Sequence, residues 1–206
     1  MEKGKVYGAI ETFSAALYRL TLINFLWIIF SLAGLVIAGI APATAAAHAA
    51  TQRWVKNEEI EGKIVKYFWM DYKKYFVKSN MVWGFLLITG SILYADFYFI
   101  FRLDSSFAPM LLGLGIFLLV LYLIIFFYSI PLLIHLKMRV WESIKYAFIF
   151  GFSSPVLTVS GIGSFFVIQY LLFQFPVLYL FFSISIFSYI TMNVVNTVSI
   201  KLKLSD

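Results

Sequence analysis

Between Thr21 and Ile40 the chain carries no charged side chain, and its apolar residues run on without alternating. A helix needs about 20 such residues to cross the hydrocarbon core of a bilayer, whereas a membrane β-strand would alternate with period two. The pattern recurs. Met81 to Phe101 is interrupted only by Asp96, and Pro109 to Leu136 carries Pro131 and His135 near its end. Tyr146 to Ile200 is 55 residues long without a charge, too long for one helix, and Gln174 with Pro176 supplies a turn inside it. The pattern predicts an all-α, polytopic transmembrane helical bundle in a single membrane domain, residues 1–206. Its five spans fall at 21–40, 81–101, 110–134, 148–172 and 177–198. Around them lie an N-terminal interfacial segment (1–19), a span and turn helix (20–52), a basic segment (53–80), two helical hairpins (81–200) and a tail (201–206).

One polar-looking segment is itself periodic. In residues 63–78 the positions Ile64, Val65, Phe68, Trp69, Tyr72, Tyr75 and Phe76 recur at spacings of three and four, with Lys63, Lys66, Lys74 and Lys78 opposite and Lys73 beside them. An aromatic face backed by lysines predicts an amphipathic helix in the membrane interface, its cations near anionic headgroups. Lys63, Lys66, Phe68, Trp69, Lys73 and Lys74 are its candidate membrane- or partner-facing residues. A weaker version of the pattern, Tyr7, Ile10, Phe13 and Leu17, precedes Arg19.

The stretch AGIAPATAAAHAATQRW, 38–54, is the least ordinary part of the chain. Small residues in an A-x-A pattern after an apolar run are what signal peptidase cuts, but the apolar region here is about 20 residues rather than the usual 7–15 or so, which disfavours cleavage. Two readings stand: a turn leading out of a single span, or a re-entrant or sixth short helix at 42–52 that bends at Gly39 to Pro42 and carries the chain back. Basic residues accumulate on the cytoplasmic side of membrane proteins. A single span divides the 16 basic residues 12 inside and 4 outside, and a returning hairpin divides them 15 to 1. The uncharged run from Leu20 to Gln52 is 33 residues, so each arm of such a hairpin has about 15, or roughly 22 Å of helix. Either way residues 53–80, 137–145 and the tail share the cytoplasmic side of the membrane.

Composition agrees with this picture. Hydrophobic residues make up 62% of the chain and charged ones 13%, and the mean hydropathy is +0.92. A soluble chain of this size has no way to bury so much apolar surface. The lipid bilayer is therefore the first partner, and the charge of +6 belongs to cytoplasmic loops rather than to a nucleic-acid site. No cysteine is present, so disulfides and thiolate chemistry are excluded.

Ionisable side chains within spans are costly, which makes them candidates for function. Asp96 lies some 15 residues into its span, and His135 sits near the inner end of another; each is also explained as a polar helix end. His48 follows Pro42 by six residues. If 42–52 is a helix, Pro42 occupies its first turn, the amides after it form an anion-attracting end, and Thr44 adds a hydroxyl. The competing explanation is close packing, with Ala43 and Ala47 as a small-xxx-small pair. Pro42, Thr44, His48, Asp96 and His135 are thus the candidate ligand or ion residues. Asn193, Asn196 and Thr197 share a face of the last span and are expected to hydrogen-bond between helices. The run GIGSFF at 161–166 sets a serine directly after the second of two glycines, but neither histidine is placed by pattern to activate it. Two histidines and one aspartate without paired spacing make no metal site, and no cofactor signature appears.

Two segments carry more than class information. NFLWIIFSLAGLVIAGIAPATAAAHAATQRW, 24–54, and FWMDYKKYFVKSN, 68–80, resemble the YesL family of bacterial integral membrane proteins. The likeness rests on the Asn-x-Leu-Trp start of the first span, the Gly then Pro-Ala-Thr-Ala-Ala turn, the Arg-Trp exit and the Phe-Trp-x-x-Tyr-Lys-Lys run. It covers about the first 80 residues. The resemblance supplies no catalytic or binding residue. It does imply a link to carbohydrate uptake, because members often lie beside genes for sugar import and degradation. The expected function is therefore a non-enzymatic accessory to a membrane transporter, with transporter subunits as partners. An autonomous small transporter or channel and a structural assembly factor are the alternatives, and oligomeric state is not legible.

Overall fold

The structure, a computed structural model, describes residues 2–56, 58 and 62–204, with the side chains of 2–7 and 9 outside the description. Parts of the basic segment (57 and 59–61), the end of the tail (205–206), and the side chains of Lys3, Lys5 and Tyr7 thus fall outside the described residues. Seven helices make up the described chain: α1 Glu2–Ala33, α2 Ile40–Val55, α3 Ile64–Ile100, α4 Ala108–His135, α5 Val140–Ser153, α6 Pro155–Phe173 and α7 Pro176–Lys201. Five of them, α1 from Ile10, α3, α4, α6 and α7, are long and apolar enough to cross a membrane. Their outward side chains, such as Ile88, Phe99, Met110, Phe117, Val159 and Tyr170, are exposed and apolar. That is the surface a helix offers when its solvent is lipid.

The first span ends earlier than the pattern predicts, because the turn occupies 34–39 and Pro42 already lies inside α2. Leu35 and Val36 both take left-handed backbone angles, φ 57° and 64°. For residues with a Cβ this costs about 1–2 kcal/mol each, so the turn must be held from outside. Two glycines let that happen. A Cβ on Gly34 would stand 2.8 Å from Gly39 N and 2.5 Å from the Tyr72 hydroxyl; one on Gly39 would run into the Ser31 carbonyl and lie 2.9 Å from Gly34 Cα. The two helix ends therefore touch backbone to backbone. At the other end Arg19 lies over the Trp54 ring, 5.7 Å from its centroid. α1 and α2 form an antiparallel hairpin, the arrangement in which Arg19 and the basic exit of α2 share an end.

α2 is a true helix, and it is buried on every side: all residues from Ala41 to Thr51 are inside the protein, packed against α1, α3, α4 and α7. Small side chains permit this. Seven alanines in 16 residues let neighbouring backbones approach, as small residues do where membrane helices pack.

The amphipathic segment forms a helix, but not a separate one. Nothing in Lys78-Ser79-Asn80-Met81 breaks a helix, so α3 continues for 37 residues. At 1.5 Å per residue that is about 55 Å, nearly twice the roughly 30 Å hydrocarbon core, so its charged first turns extend past the core. The aromatic face divides. Phe68, Tyr72 and Tyr75 are buried, Phe68 and Tyr72 tilted against Phe30 at 5.2 and 5.3 Å, while Val65 faces outward and Trp69, stacked on Phe30 at 5.5 Å, keeps an exposed outer side. Lys63, Lys66, Lys73 and Lys74 are exposed, as predicted, and Lys73 sits over the Trp69 ring at 4.7 Å.

The predicted span 148–172 is split at Ser154. Proline lacks an N–H and forces its predecessor out of the helical region; Ser154 accordingly has φ −142° and ψ 68°, and Pro155 opens α6. α5 starts with Arg139 N donating to Glu142 Oε2 at 2.9 Å, which satisfies an otherwise orphan amide.

Candidate functional site

Thr44, His48 and Gln52 recur every fourth residue, one line along α2. Each of these side chains, and Arg53 beside them, reaches a different neighbouring helix. Trp27 Nε1 of α1 donates to Thr44 Oγ1 at 3.0 Å, and Thr44 donates to Ile40 O at 2.8 Å. His48 is fully buried. Its Nδ1 lies 2.8 Å from Thr44 O, and its Nε2 lies 3.0 Å from Thr191 Oγ1 of α7. A carbonyl only accepts, so Nδ1 carries the proton, and in the neutral ring Nε2 is an acceptor that shares the single Thr191 hydroxyl proton with Phe187 O, 3.0 Å from the same Oγ1. Ser188 Oγ stands 3.4 Å from Nδ1, and Phe187 closes the site edge-on with ring centroids 5.5 Å apart. One turn on, Gln52 Nε2 donates to His135 Nδ1 of α4 at 3.2 Å. Arg53 binds Asp71 of α3 at 2.6 Å, with side chains 23% and 6% exposed, and its guanidinium lies over Tyr67 at 5.0 Å.

The structure thus brings Thr44, His48 and His135 together along one seam. It leaves two candidates out. Asp96 is exposed and lines an apolar groove of roughly 270 Å³ between α3 and α4, with Ile92, Leu121, Tyr122 and Phe148. Pro42 is buried in the first turn of α2, where the anion-attracting end is largely spent: Gly39 N and Ile40 N both donate to Val36 O, Pro42 has no N–H, and Ala43 N donates to Gly39 O. Asn193 and Thr197 were expected to bridge helices. Instead they bond back to Tyr189 O and Asn193 O of their own helix, each at 2.8 Å, and only Asn196 faces the Gln52–His135 contact.

Two features were missed from sequence. Asn24, 1% exposed, inserts its amide into the hydrogen-bond ladder of α7: Nδ2 donates to Leu180 O at 2.5 Å, and Oδ1 accepts from Ile184 N at 2.9 Å and Ser185 N at 3.2 Å. Its place in the Asn-x-Leu-Trp motif was the available signal. The second feature is a cavity of roughly 260 Å³ where α2 ends, lined by Gln52, Arg53, Lys56, Glu58, Asp71, Lys74, Tyr75 and Lys137 among others. Lysines 18 and 63 positions apart, on three separate segments, gave no hint of it. Among the described residues no three His, Asp or Glu side chains gather as a metal ion would require.

Five apolar helices, four of them packed around a buried, polar-seamed helix, define a multi-pass α-helical membrane protein. Residues 20–97, the later part of α1, α2 and nearly all of α3, match the family model described as protein of unknown function, DUF624. Over 98% of its length the chain is 30% identical to YteU of Bacillus subtilis (strain 168), covering 90% of that protein. It is 29% identical to YesL over 90% of this chain and 87% of that one, and 31% identical to YesV over 92% and 91%, both from the same organism. The chain belongs to this family, which confirms the resemblance read from residues 24–80 and extends it along the whole bundle. The relatives YteU, YesL and YesV carry the description uncharacterized protein. No solved structure matches the chain.

Proposed function

We propose that the protein is a non-enzymatic accessory or modulating component of a membrane transporter, seated in a bacterial inner membrane with its basic end and C-terminus in the cytoplasm. One observation carries the reading. The polar side chains of the central helix are committed to its neighbours, Thr44 to Trp27, His48 to Thr191, Gln52 to His135 and Arg53 to Asp71. A conduit needs polar groups that exchange partners with a passing solute, and in lipid such groups are otherwise kept for holding helices together. The wide apolar surfaces of α3, α4 and α6 meanwhile offer area for lipid or for another membrane helix. Carbohydrate uptake is the process we assign to the partner, on the strength of the family likeness alone.

Deletion of the gene, with the sugar permeases left intact, tests this. Uptake of at least one labelled sugar should fall. Unchanged uptake for every sugar tested counts against the proposal, and loss of permease abundance rather than turnover favours an assembly factor instead. Solute flux through the purified chain in liposomes would establish the channel or transporter alternative.

A further inference from the structure

We propose that the cavity at the C-terminal end of α2 is a binding site for a phosphate group. Lys56 caps α2, Lys74 projects from the first turns of α3 with its ammonium 5.0 Å from the ring centroid of Tyr75, also on the wall, and Lys137 follows α4, so three lysines from three separate segments line one space of roughly 260 Å³. Arg53 joins them but is already held by Asp71 at 2.6 Å. Lys137 has a left-handed backbone, φ 51°, that a non-glycine residue adopts only when its surroundings hold it there. The described charges on the wall are four positive against Glu58 and Asp71, a net of +2. The C-termini of α2 and α4 open nearby and bring about half a negative charge each, which leaves roughly one positive charge uncompensated. Like charges converging on a cavity repel one another unless an anion sits among them. Lysine, a compact point charge, suits a phosphate oxygen, and basic pockets between helices on the cytoplasmic side of membrane proteins take phospholipid headgroups. The same chemistry would hold a soluble phosphate. The inference does not depend on any transporter partner.

The full chain in neutral detergent, presented with phosphatidylglycerol, phosphatidylcholine or inorganic phosphate, provides the test, with native mass spectrometry reading the retained ligand. Two triple variants are compared: K56Q/K74Q/K137Q, which empties the cavity wall of lysine, and K63Q/K66Q/K78Q, which removes the same charge from neighbouring turns. All six lysines are exposed, so both variants should fold. Single K137Q is the fallback if the first does not. Retention of phosphatidylglycerol over phosphatidylcholine, weakened at least about tenfold by the cavity variant and not by the other, supports the site with a lipid headgroup as its ligand. Saturable binding of inorganic phosphate with the same variant dependence supports it with a soluble ligand. Equal loss in both variants, or no binding of either probe by the native chain, overturns it.

Discussion

Gly39→Ala should destabilise the protein although its backbone permits alanine. Gly39 has φ −91° and ψ −33°, ordinary right-handed helical angles, so no conformational penalty attaches to a side chain there. Alanine is otherwise favoured over glycine in helices by about 0.5–1 kcal/mol. The penalty is steric. A new Cβ would collide with the Ser31 carbonyl and stand 2.9 Å from Gly34 Cα, and both neighbours are backbone, with no flexible side chain to swing aside. Relief requires α1 and α2 to part at the turn, and overpacking of this kind costs about 1–3 kcal/mol. At about 2–4 °C per kcal/mol for a chain this size, the melting midpoint should fall by several degrees. Gly163→Ala is the matched control. Nothing lies within 4 Å of its Cβ position, so it should leave the midpoint unchanged or raise it slightly. Thermal unfolding of the two variants in one detergent measures both. If Gly39→Ala melts with or above Gly163→Ala, the two helix ends do not touch as described, and the hairpin reading fails with them.

The polar seam yields further expectations. Thr191→Val removes the donor to His48 Nε2 and should cost about 0.6–1.7 kcal/mol, the range for interhelical hydrogen bonds in lipid, while Thr191→Ser keeps the hydroxyl and most of the stability; thermal unfolding separates them. Asp71→Asn leaves the Arg53 charge without its counterion, and because Arg53 is partly exposed the loss should be about 1–3 kcal/mol; Arg53→Gln together with Asp71→Asn should recover part of it, read as a coupling energy in a double-mutant cycle. Asn24→Ala frees the α7 ladder to close on itself but unties α1 from α7, so loosening should appear as faster proteolysis of α1 more than as lost helix content by circular dichroism. Cysteines placed at Gly8 and Lys137 should react with an impermeant reagent from the same side of the membrane, and labelling from opposite sides would refute the proposed orientation.

Much of the bundle was legible because hydropathy in a lipid solvent is a one-dimensional signal. The uncharged runs at 110–134 and 177–198 became α4 and α7 with small changes at their ends. The boundaries that moved were those set by contacts. Gly34 ends α1 because of where Gly39 and Tyr72 lie in space, and Ser154 splits a span through its proline, a signal that hydropathy outweighed. The interfacial helix was read from one real amphipathic pattern whose aromatic half serves two solvents: Trp69 faces outward and Phe68 faces the protein. Candidate residues followed the same rule. His48 stood out because an ionisable group is rare among alanines, whereas Asn24 did not, being one polar residue at the edge of an apolar run. The cavity of Lys56, Lys74 and Lys137 depends on three segments meeting, and periodicity within any one of them does not report it.

The placement of α2 also explains why its polar residues lie where they do. Helices in lipid gain little from hiding apolar surface, because lipid tails are as apolar as leucine. An alanine-rich helix at the centre of such a bundle therefore packs closely but with little to fix its register. Side chains at 44, 48, 52 and 53 supply that register, each bonded to a different one of α1, α7, α4 and α3. Sliding α2 by a single residue would break all four at once and leave buried donors and acceptors unmet, at about 1–3 kcal/mol apiece. A helix locked this way is a poor moving part. It is a good anchor for the surfaces around it, above all for the basic cavity at its own C-terminal end, whose wall Gln52 and Arg53 share with the three lysines.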